Sequence, residues 1–229
     1  MSSIVIVDLG TGNLRSVSKA VQHVAAKSQV SISSDPVAIA GAGHLILPGQ
    51  GAIGTWINQL NANPGLHSAV LSRLQQGPVL GICLGLQALY TRSEENGGTP
   101  GLNLLSGTVR HFTSGCQQPL GSRQLLKHGQ LNGYHGNLKI PHMGWNQVRQ
   151  TRTHPLWHGI EDLQRFYFVH SYFVDSEDNA QVVGECEYGN IFTAAAARDN
   201  LFATQFHPEK SQQAGLQLLK NFVNWNGVQ

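Results

Sequence analysis

Apolar residues in the first part of the chain alternate between short continuous runs and runs with helical spacing. Residues 4–8 (IVIVD) are apolar and β-branched, which predicts a buried strand, whereas residues 16–26 repeat apolar side chains every three or four positions, which predicts a helix. The same patterns continue downstream and predict strands at residues 30–33, 44–47 and 78–83 and helices at residues 54–60, 66–75 and 84–92. This alternation predicts a parallel sheet covered by helices on both faces.

The pattern changes after residues 97–98 (GG). Residues 113–138 are rich in Gly, Gln, His and Ser and have little periodicity, which predicts a long loop or insertion between extended segments. Later runs predict strands at residues 165–169, 181–187, 191–196 and 201–206, and a final helix at residues 213–225. The predicted fold is α/β, with an open, mostly parallel central sheet flanked by helices and additional antiparallel strands in the C-terminal half. Because no linker or repeat is visible, residues 1–229 are predicted to form a single domain.

Composition narrows the possible functions. With 15 basic and 13 acidic residues, the net charge of +2 gives no general electrostatic reason to expect nucleic-acid binding. The chain starts without a signal-peptide pattern, and its apolar runs stay well short of the roughly 18–20 residues of a membrane span, so we expect a cytoplasmic protein without membrane contact. Three cysteines without CxxC pairs, and histidines without metal-ligand spacing, predict no metal site. Charged residues make up 12%, against about 25% in a typical domain, which suggests a surface partly covered by another protein.

A cysteine flanked by glycines lies between a predicted strand and a predicted helix, in the sequence Gly81-Ile82-Cys83-Leu84-Gly85. A sharp strand-to-helix turn crowds the backbone on both sides of a strained residue, so the flanking positions must lack Cβ atoms. The turn would place the Cys83 sulfur at the start of a helix, where negative charge is favoured. The pattern predicts a nucleophile, and the alternative is a cysteine buried in the core.

A second candidate segment, Phe206-His207-Pro208-Glu209-Lys210, follows the last predicted strand. Pro208 fixes its own φ and keeps His207 out of the helical region, so the His207 and Glu209 side chains can reach the same side of the sheet edge. A carboxylate can hold an imidazole in the tautomer that accepts a thiol proton. Because ligands bind at the carboxyl ends of parallel strands, we expect both residues to act with Cys83; the alternative is a turn with a solvated glutamate.

Two glycine-rich turns follow other predicted strands. In Pro48-Gly49-Gln50-Gly51, the glycines allow a backbone N–H to turn toward the site and form an oxyanion hole with the N–H of Leu84, unless the segment is an ordinary loop. The turn at residues 10–13 (GTGN) resembles the start of a dinucleotide-binding motif but lacks the third glycine, so dinucleotide binding is not expected.

Together, the cysteine turn, the Pro-Gly-x-Gly loop and the late His-x-Glu sequence resemble the class I (triad) glutamine amidotransferases. Longer strings narrow this resemblance to the glutaminase subunits of imidazole glycerol phosphate synthases, and it extends over nearly the whole chain. These strings are residues 8–16 (DLGTGNLRS), 140–146 (IPHMGWN) and 167–172 (YFVHSY).

The resemblance implies a role for each matching residue. Cys83 would be the nucleophile, His207 the general base and acid, and Glu209 the carboxylate that orients His207. The other implied positions are the backbone of Leu84, Gln50 and Gly51 for the oxyanion, Gly51, Gln87, Ser171 and Tyr172 for the substrate glutamine, and Asn13, Met143 and Trp145 for the partner. The implied partner is a (β/α)8-barrel cyclase subunit that uses the ammonia in histidine biosynthesis, and no cofactor is implied.

The sequence departs from the family pattern at a few places. Gln50 and Leu9 replace the usual valine and tyrosine, and residues 107–140 form a longer stretch than usual. Activity is expected to survive at position 50, because the backbone N–H acts there. Three other functions stay open: a glutaminase subunit of another biosynthetic amidotransferase, an inactive scaffold that only binds a partner, and a cysteine hydrolase of the redox-chaperone type. The scaffold would be expected to lack a triad residue, and the hydrolase would lack the His-Pro-Glu sequence.

Overall fold

The computed structural model describes residues 3–25, 28–115 and 138–228, so Cys116 and most of the predicted insertion lie outside the described residues. The strands are β1 (Ser3–Val7), β2 (Gln29–Ser33), β3 (His44–Leu47), β4 (Val79–Ile82), β5 (Tyr90–Ser93), β6 (Thr99–Pro100), β7 (Leu105–His111), β8 (His142–Gln147), β9 (Arg149–Gln150), β10 (Arg165–His170), β11 (Tyr172–Ser176), β12 (Val182–Tyr188), β13 (Asn190–Arg198) and β14 (Leu201–Thr204). The α-helices are α1 (Leu14–Val24), α2 (Pro36–Ala40), α3 (Ile53–Asn61), α4 (Pro64–Gln76), α5 (Leu84–Leu89), α6 (Phe112–Gly115) and α7 (Gln212–Asn224).

A parallel set of strands in the order β2-β1-β3-β4-β14 forms the part of the main sheet that carries the candidate motifs. Every residue of β3, β4 and β14 is buried. Strands covered on both faces need apolar side chains in both directions, which explains their continuous apolar runs.

Antiparallel strands continue the sheet beyond β14. Strand β13 pairs with β14, β11 and β12, and β11 pairs in turn with β7. The predicted α/β fold, with a mostly parallel centre and antiparallel additions in the C-terminal half, is therefore confirmed.

Two apolar layers cover the two faces of the sheet. Alternate residues of β1 separate between them: Ile4 and Ile6 pack in the layer with α1 and α7, and Val5 and Val7 pack in the layer with α3 and α4. This division follows from the two-residue period of a strand. It leaves the carboxyl ends of the parallel strands as the edge at which loops can form a site.

Strands β8 and β10 form a separate antiparallel pair. The register places Trp145 opposite Tyr167 and His142 opposite His170. Trp145 and its neighbour Met143 are 41% and 62% exposed, whereas both histidines are buried. This small sheet therefore has an outward aromatic face and an inward histidine face.

Some predicted elements were wrong or missing. The helix predicted over residues 84–92 ends at Leu89, because Tyr90–Ser93 is instead a strand that pairs with β6 and β7. Helix α2 and strand β11 were not predicted, since each is short and lacks a long periodic pattern. None of the helices within the described residues is both long and apolar enough to cross a membrane.

Candidate active site

The candidate motifs lie side by side at one edge of the parallel sheet. Strands β1, β3, β4 and β14 are neighbours, and each is followed by one motif. In chain order these motifs are residues 10–13, 48–51, 83–85 and 205–210. Because the strands run parallel, the motifs meet at the edge where ligands bind in such sheets.

Cys83 has the strained backbone of a nucleophile turn. Its φ of 55° and ψ of −102° lie in a region that residues with a Cβ rarely adopt. A Cβ on Gly85 would lie 1.9 Å from the carbonyl oxygen of Leu47, and a Cβ on Gly81 would lie 2.9 Å from a side chain of β14. The Cys83 N–H donates to the Thr204 carbonyl at 2.8 Å. The glycines are therefore required by close packing, as the sequence predicted.

His207 and Glu209 form a buried pair. His207 Nδ1 lies 2.8 Å from Glu209 Oε1, and the two side chains are only 2% and 1% exposed. Burial by itself lowers the pKa of His207, but the charge and hydrogen bonding of Cys83, followed by Glu209, raise the pKa to about 10. His207 Nε2 has no nitrogen or oxygen partner within the described residues. The pair therefore directs Nδ1 toward the carboxylate and leaves Nε2 for the sulfur.

The backbone around His207 is fixed from two sides. Its N–H donates to the Tyr167 carbonyl at 2.9 Å, and the Ser211 hydroxyl donates to its carbonyl at 2.6 Å. Ser211 Oγ also accepts the N–H of Tyr167 at 3.0 Å. Strand β10 of the small sheet is therefore joined directly to the His207 segment.

The loop after β3 is packed against α3 and α5. Trp56 Nε1 donates to the Pro48 carbonyl at 3.0 Å, and a Cβ on Gly49 would lie 2.7 Å from the indole. Gly51 has φ of +96° and open space around its Cα, so this position depends on the backbone freedom of glycine. Leu84 is the first residue of α5, and its N–H therefore has no partner within that helix.

The turn at residues 10–13 packs against this loop. A Cβ on Gly12 would lie 3.6 Å from the Gln50 nitrogen, and the φ of Gly12 is +98°. Asn13 is exposed and caps α1, with its Oδ1 accepting the Ser16 N–H at 3.3 Å. The turn therefore borders the loop that carries the predicted oxyanion donor.

Hydrogen bonds connect two of the predicted substrate residues with Cys83. Gln87 Nε2 donates to the Tyr172 carbonyl at 2.9 Å and to Gln205 Oε1 at 3.0 Å. Gln205 Nε2 lies 3.6 Å from the Cys83 sulfur. The structure therefore connects Gln87 and Tyr172 to Cys83 through Gln205, and Ser171 directly precedes Tyr172 in the chain.

Sequence reasoning missed Gln205 and Glu95. Gln205 is fully buried, and its position two residues before His207 was a usable signal, because alternate residues of an extended segment share a face. Glu95 Oε2 accepts the N–H of Ile53 at 2.8 Å, and burial followed by the charges of Glu95 and Glu94 raises the pKa of Tyr172. Nothing in the local sequence of Glu95 indicated that it would lie near the site.

The arrangement can perform acyl transfer on an amide or ester. It combines a thiol nucleophile, a buried acid–base imidazole and backbone donors at a helix start. Within the described part of the chain, no three His, Cys, Asp or Glu side chains are grouped as metal ligands would be.

Comparison with known proteins gives relatives over the whole chain. The family model for glutamine amidotransferase class-I matches residues 5–225. An imidazole glycerol phosphate synthase subunit HisH from Dechloromonas aromatica (strain RCB) is 50% identical over 97% of this chain and 96% of its own length. The HisH subunit from Nitrosococcus oceani is 45% identical over 100% of both chains.

Solved structures share the fold at low sequence identity. PurLQS from Thermotoga maritima has a TM-score of 0.68 at 16% identity and covers 97% of this chain and 98% of its own. The glutaminase domain of Trypanosoma brucei CTPS has a TM-score of 0.57 at 14% identity, covering 100% of this chain and 96% of its own. The nucleophile turn, the buried His–Glu pair and the family match over residues 5–225 agree, and this chain belongs to the class-I glutamine amidotransferase family.

Proposed function

We propose that this chain is the glutaminase subunit of an imidazole glycerol phosphate synthase in histidine biosynthesis. The observation that carries this proposal is the strained Cys83 beside the buried His207–Glu209 pair. The HisH subunits that are 45% and 50% identical over nearly the full chain support an imidazole glycerol phosphate synthase rather than another biosynthetic amidotransferase. The match over residues 5–225 supports a single domain.

Catalysis begins when His207 takes the proton of the Cys83 thiol and the sulfur attacks the side-chain amide carbon of glutamine. His207 then gives a proton to the leaving nitrogen, so that the C–N bond breaks and ammonia departs. A γ-glutamyl thioester remains on Cys83. Water attacks the thioester while His207 accepts a proton from that water. The C–S bond then breaks, His207 returns the proton to the sulfur, and glutamate leaves from the restored Cys83 thiol. Glu209 holds the His207 ring in place throughout.

The negative oxygen of each tetrahedral intermediate requires donors that are aimed in advance. The N–H of Leu84 and the Gln50-Gly51 peptide fill this role in the proposal. One such donor is typically worth about 2.7–4 kcal/mol of transition-state stabilisation.

Glutamine itself is held beside the nucleophile. Gly51, Gln87 and the Ser171-Tyr172 backbone provide polar groups for it. The α-ammonium group of glutamine needs a negatively charged partner. The charges of Glu95 and Glu94 both act on Tyr172, and because Glu94 is paired with Arg110, the proposal assigns this role to Glu95, next to the start of α3.

Ammonia released into water would be wasted, so the chain must work with an acceptor protein. We propose a (β/α)8-barrel cyclase that docks on a face including Asn13, Met143 and Trp145. Met143 and Trp145 are large, uncharged and exposed, as a docking surface requires.

Release of ammonia from glutamine tests the function. We mix the purified chain with glutamine, the cyclase subunit and the nucleotide ligand of that subunit. We expect the wild type to release ammonia and the variant Cys83→Ala to release none under the same conditions. Release that does not depend on Cys83, or no release by the wild type with the partner present, would contradict the proposal. Ammonia release only with a different acceptor protein would assign the chain to a different synthase.

A further inference from the structure

Two histidines meet inside the molecule, between the small sheet and the substrate side of the site. His142 on β8 lies opposite His170 on β10, with His142 Nδ1 2.9 Å from His170 Nε2. The residues are 3% and 6% exposed. His170 Nδ1 lies 2.7 Å from the carbonyl oxygen of Tyr172. The acid–base steps proposed for Cys83 and His207 use neither ring.

The donors and acceptors of this pair have one consistent assignment. The Tyr172 carbonyl only accepts, so His170 Nδ1 carries the proton, and His170 Nε2 then accepts from His142 Nδ1. His142 Nε2 is left to accept from Asn146 Nδ2, 3.3 Å away. Burial lowers the pKa of His142 to about 4 and that of His170 to about 3, so both rings are neutral at pH 7, as the assignment requires.

The same carbonyl connects the pair to the nucleophile. Tyr172 O accepts a second hydrogen bond from Gln87 Nε2 at 2.9 Å, and Gln87 also donates to Gln205. Gln205 Nε2 lies 3.6 Å from the Cys83 sulfur. A continuous series of hydrogen bonds therefore extends from β8 to Cys83.

Close aromatic packing leaves the His142 ring little freedom. Its centroid lies 4.8 Å from the stacked ring of Phe168 and 4.0 Å from that of Tyr188. Met143 and Trp145 project from the same strand toward solvent. Because close-packed interiors transmit displacements, a shift of β8 would move His142 with it.

We propose that His142 and His170 are positioning residues for the glutaminase reaction. They hold the Tyr172 carbonyl, and through it Gln87, in the arrangement that binds glutamine, and they transmit displacement of β8 to that arrangement. The inference rests on the proposed function, since it assigns a role within the same site.

Kinetics of matched variants test the proposal. His142→Phe keeps the stacked ring and removes the hydrogen bonds, whereas His142→Asn places an amide donor near the position of Nδ1. The control is His154→Phe, which changes a buried histidine that packs on Phe202 and Trp225. Ammonia release is measured against glutamine concentration with the cyclase subunit bound, and urea unfolding is measured for each variant.

We expect His142→Phe to reduce kcat/KM about tenfold, the size expected for one buried hydrogen bond, mainly by raising KM. His142→Asn should recover most of that loss, and His154→Phe should keep the wild-type kcat/KM. Wild-type kinetics in His142→Phe, or equal losses in His142→Phe and His142→Asn that follow their unfolding midpoints, would overturn the inference. Inactive wild type and control would contradict the proposed function instead.

Nitrogen NMR of the wild-type chain gives a test that needs no variant. With 15N-labelled histidine, we expect the His142 and His170 rings to be neutral and protonated at Nδ1. Addition of the cyclase subunit should shift the His170 ring signals. A proton on His170 Nε2, or ring signals unchanged by the partner, would overturn the proposal.

Discussion

At residues Gln50 and Gly51, in the loop after β3, the proposed oxyanion donor comes from the backbone and not from a side chain. Gln50 is half-buried, whereas Gly51 needs its φ of +96°. A side chain at position 50 does not supply the proposed oxyanion donor, and a side chain at position 51 would oppose the backbone that presents it.

Substitutions at these two positions should therefore differ in effect. We expect Gln50→Val to keep kcat within about twofold, and Gly51→Ala to lower it about tenfold or more, since a left-handed conformation costs a residue with a Cβ roughly 1–2 kcal/mol. A Cβ at position 51 meets no atom within 4 Å, so the loss would report conformation rather than a clash. Glutamine turnover with the partner bound checks both, and equal activities would contradict the argument.

Glu209 helps to raise the pKa of His207, after the larger effect of Cys83. Glu209→Gln keeps the shape of the side chain and removes its charge, so we expect the pKa of His207 to fall from about 10. The ring titration can be followed by NMR, with Lys210→Gln as a neighbouring control that leaves Glu209 intact. A His207 titration unchanged in Glu209→Gln would refute the assignment.

The raised pKa of His207 also predicts how the stability of the fold depends on pH. The folded pKa of His207 lies above the ordinary value of 6.5, so protonated His207 stabilises the fold fully below about pH 6.5 and progressively less as the pH rises toward 10. The stability advantage of the wild type over Glu209→Gln should therefore shrink across that interval. Urea unfolding at pH 6.5, 8 and 10 measures this, and an advantage that grows with pH would reverse the sign of the argument.

Helix α5 illustrates at the element scale how a fold can require glycine. Gly85 lies against the Leu47 carbonyl of β3, and that approach brings the start of α5 against the loop after β3. A Cβ on Gly54, in α3, would instead have room, because its nearest neighbour, Thr99 Oγ1, would lie 3.6 Å away.

These two helical glycines form a matched pair for mutagenesis. We expect Gly85→Ala to lower the free energy of unfolding by about 3 kcal/mol or more, because its Cβ would clash with backbone that cannot move freely. Gly54→Ala should be neutral or should stabilise by up to about 1 kcal/mol. Urea unfolding compares the two, and similar values would show that α5 can shift away from β3.

Elements with strong patterns could be predicted, and short ones could not. The strand at 44–47 has the bounds predicted from its apolar run, and α7 begins one residue earlier than expected. Strand β11 was missed because it immediately follows β10, separated only by Ser171, so the two strands lack a turn signal between them. Strand β5 was missed because its pairing with β7 is tertiary and overrides the helical pattern that precedes it.

The residues of the candidate site likewise include some that local sequence could indicate and some that it could not. Cys83, His207 and Glu209 were predictable because they lie in short motifs with local glycine or proline chemistry. Glu95 reaches the site only through the packing of distant segments, as its contact with Ile53 shows. Gln205 could have been found from its place two residues before His207 in an extended segment.

At the scale of the whole molecule, one exposed apolar face is connected to the sheet edge that carries the candidate site. The outward side of the small sheet carries Met143 and Trp145, and Trp145 packs edge-on against Tyr167 at 6.0 Å. The Tyr167 backbone is bonded to His207 and Ser211. A partner that docks on this face would therefore contact a strand that is hydrogen-bonded to the His207 segment.

Removal of an aromatic side chain from this face should affect the complex more than the isolated chain. We expect Trp145→Ala to weaken cyclase binding by about tenfold or more, as central aromatic contacts often do, and to leave the free energy of unfolding nearly unchanged. Val37→Ala on α2 is a control, because Val37 is 78% exposed and lies on a different element. Titration calorimetry measures the affinities, and equal binding by the two variants would remove Trp145 from the interface.

The segment between β3 and α3 is anchored at both ends, by Trp56 on the Pro48 carbonyl and by Glu95 on the N–H of Ile53. Gln50, in the middle of this segment, takes part in neither of these two hydrogen bonds. We therefore expect evolution to conserve the length of the segment more strongly than the identity of its middle residue. Among relatives, we expect position 50 to accept both apolar and polar side chains, as valine and glutamine, while insertions and deletions between residues 48 and 52 are absent. A search for invariant side chains would therefore overlook a constrained segment of the chain.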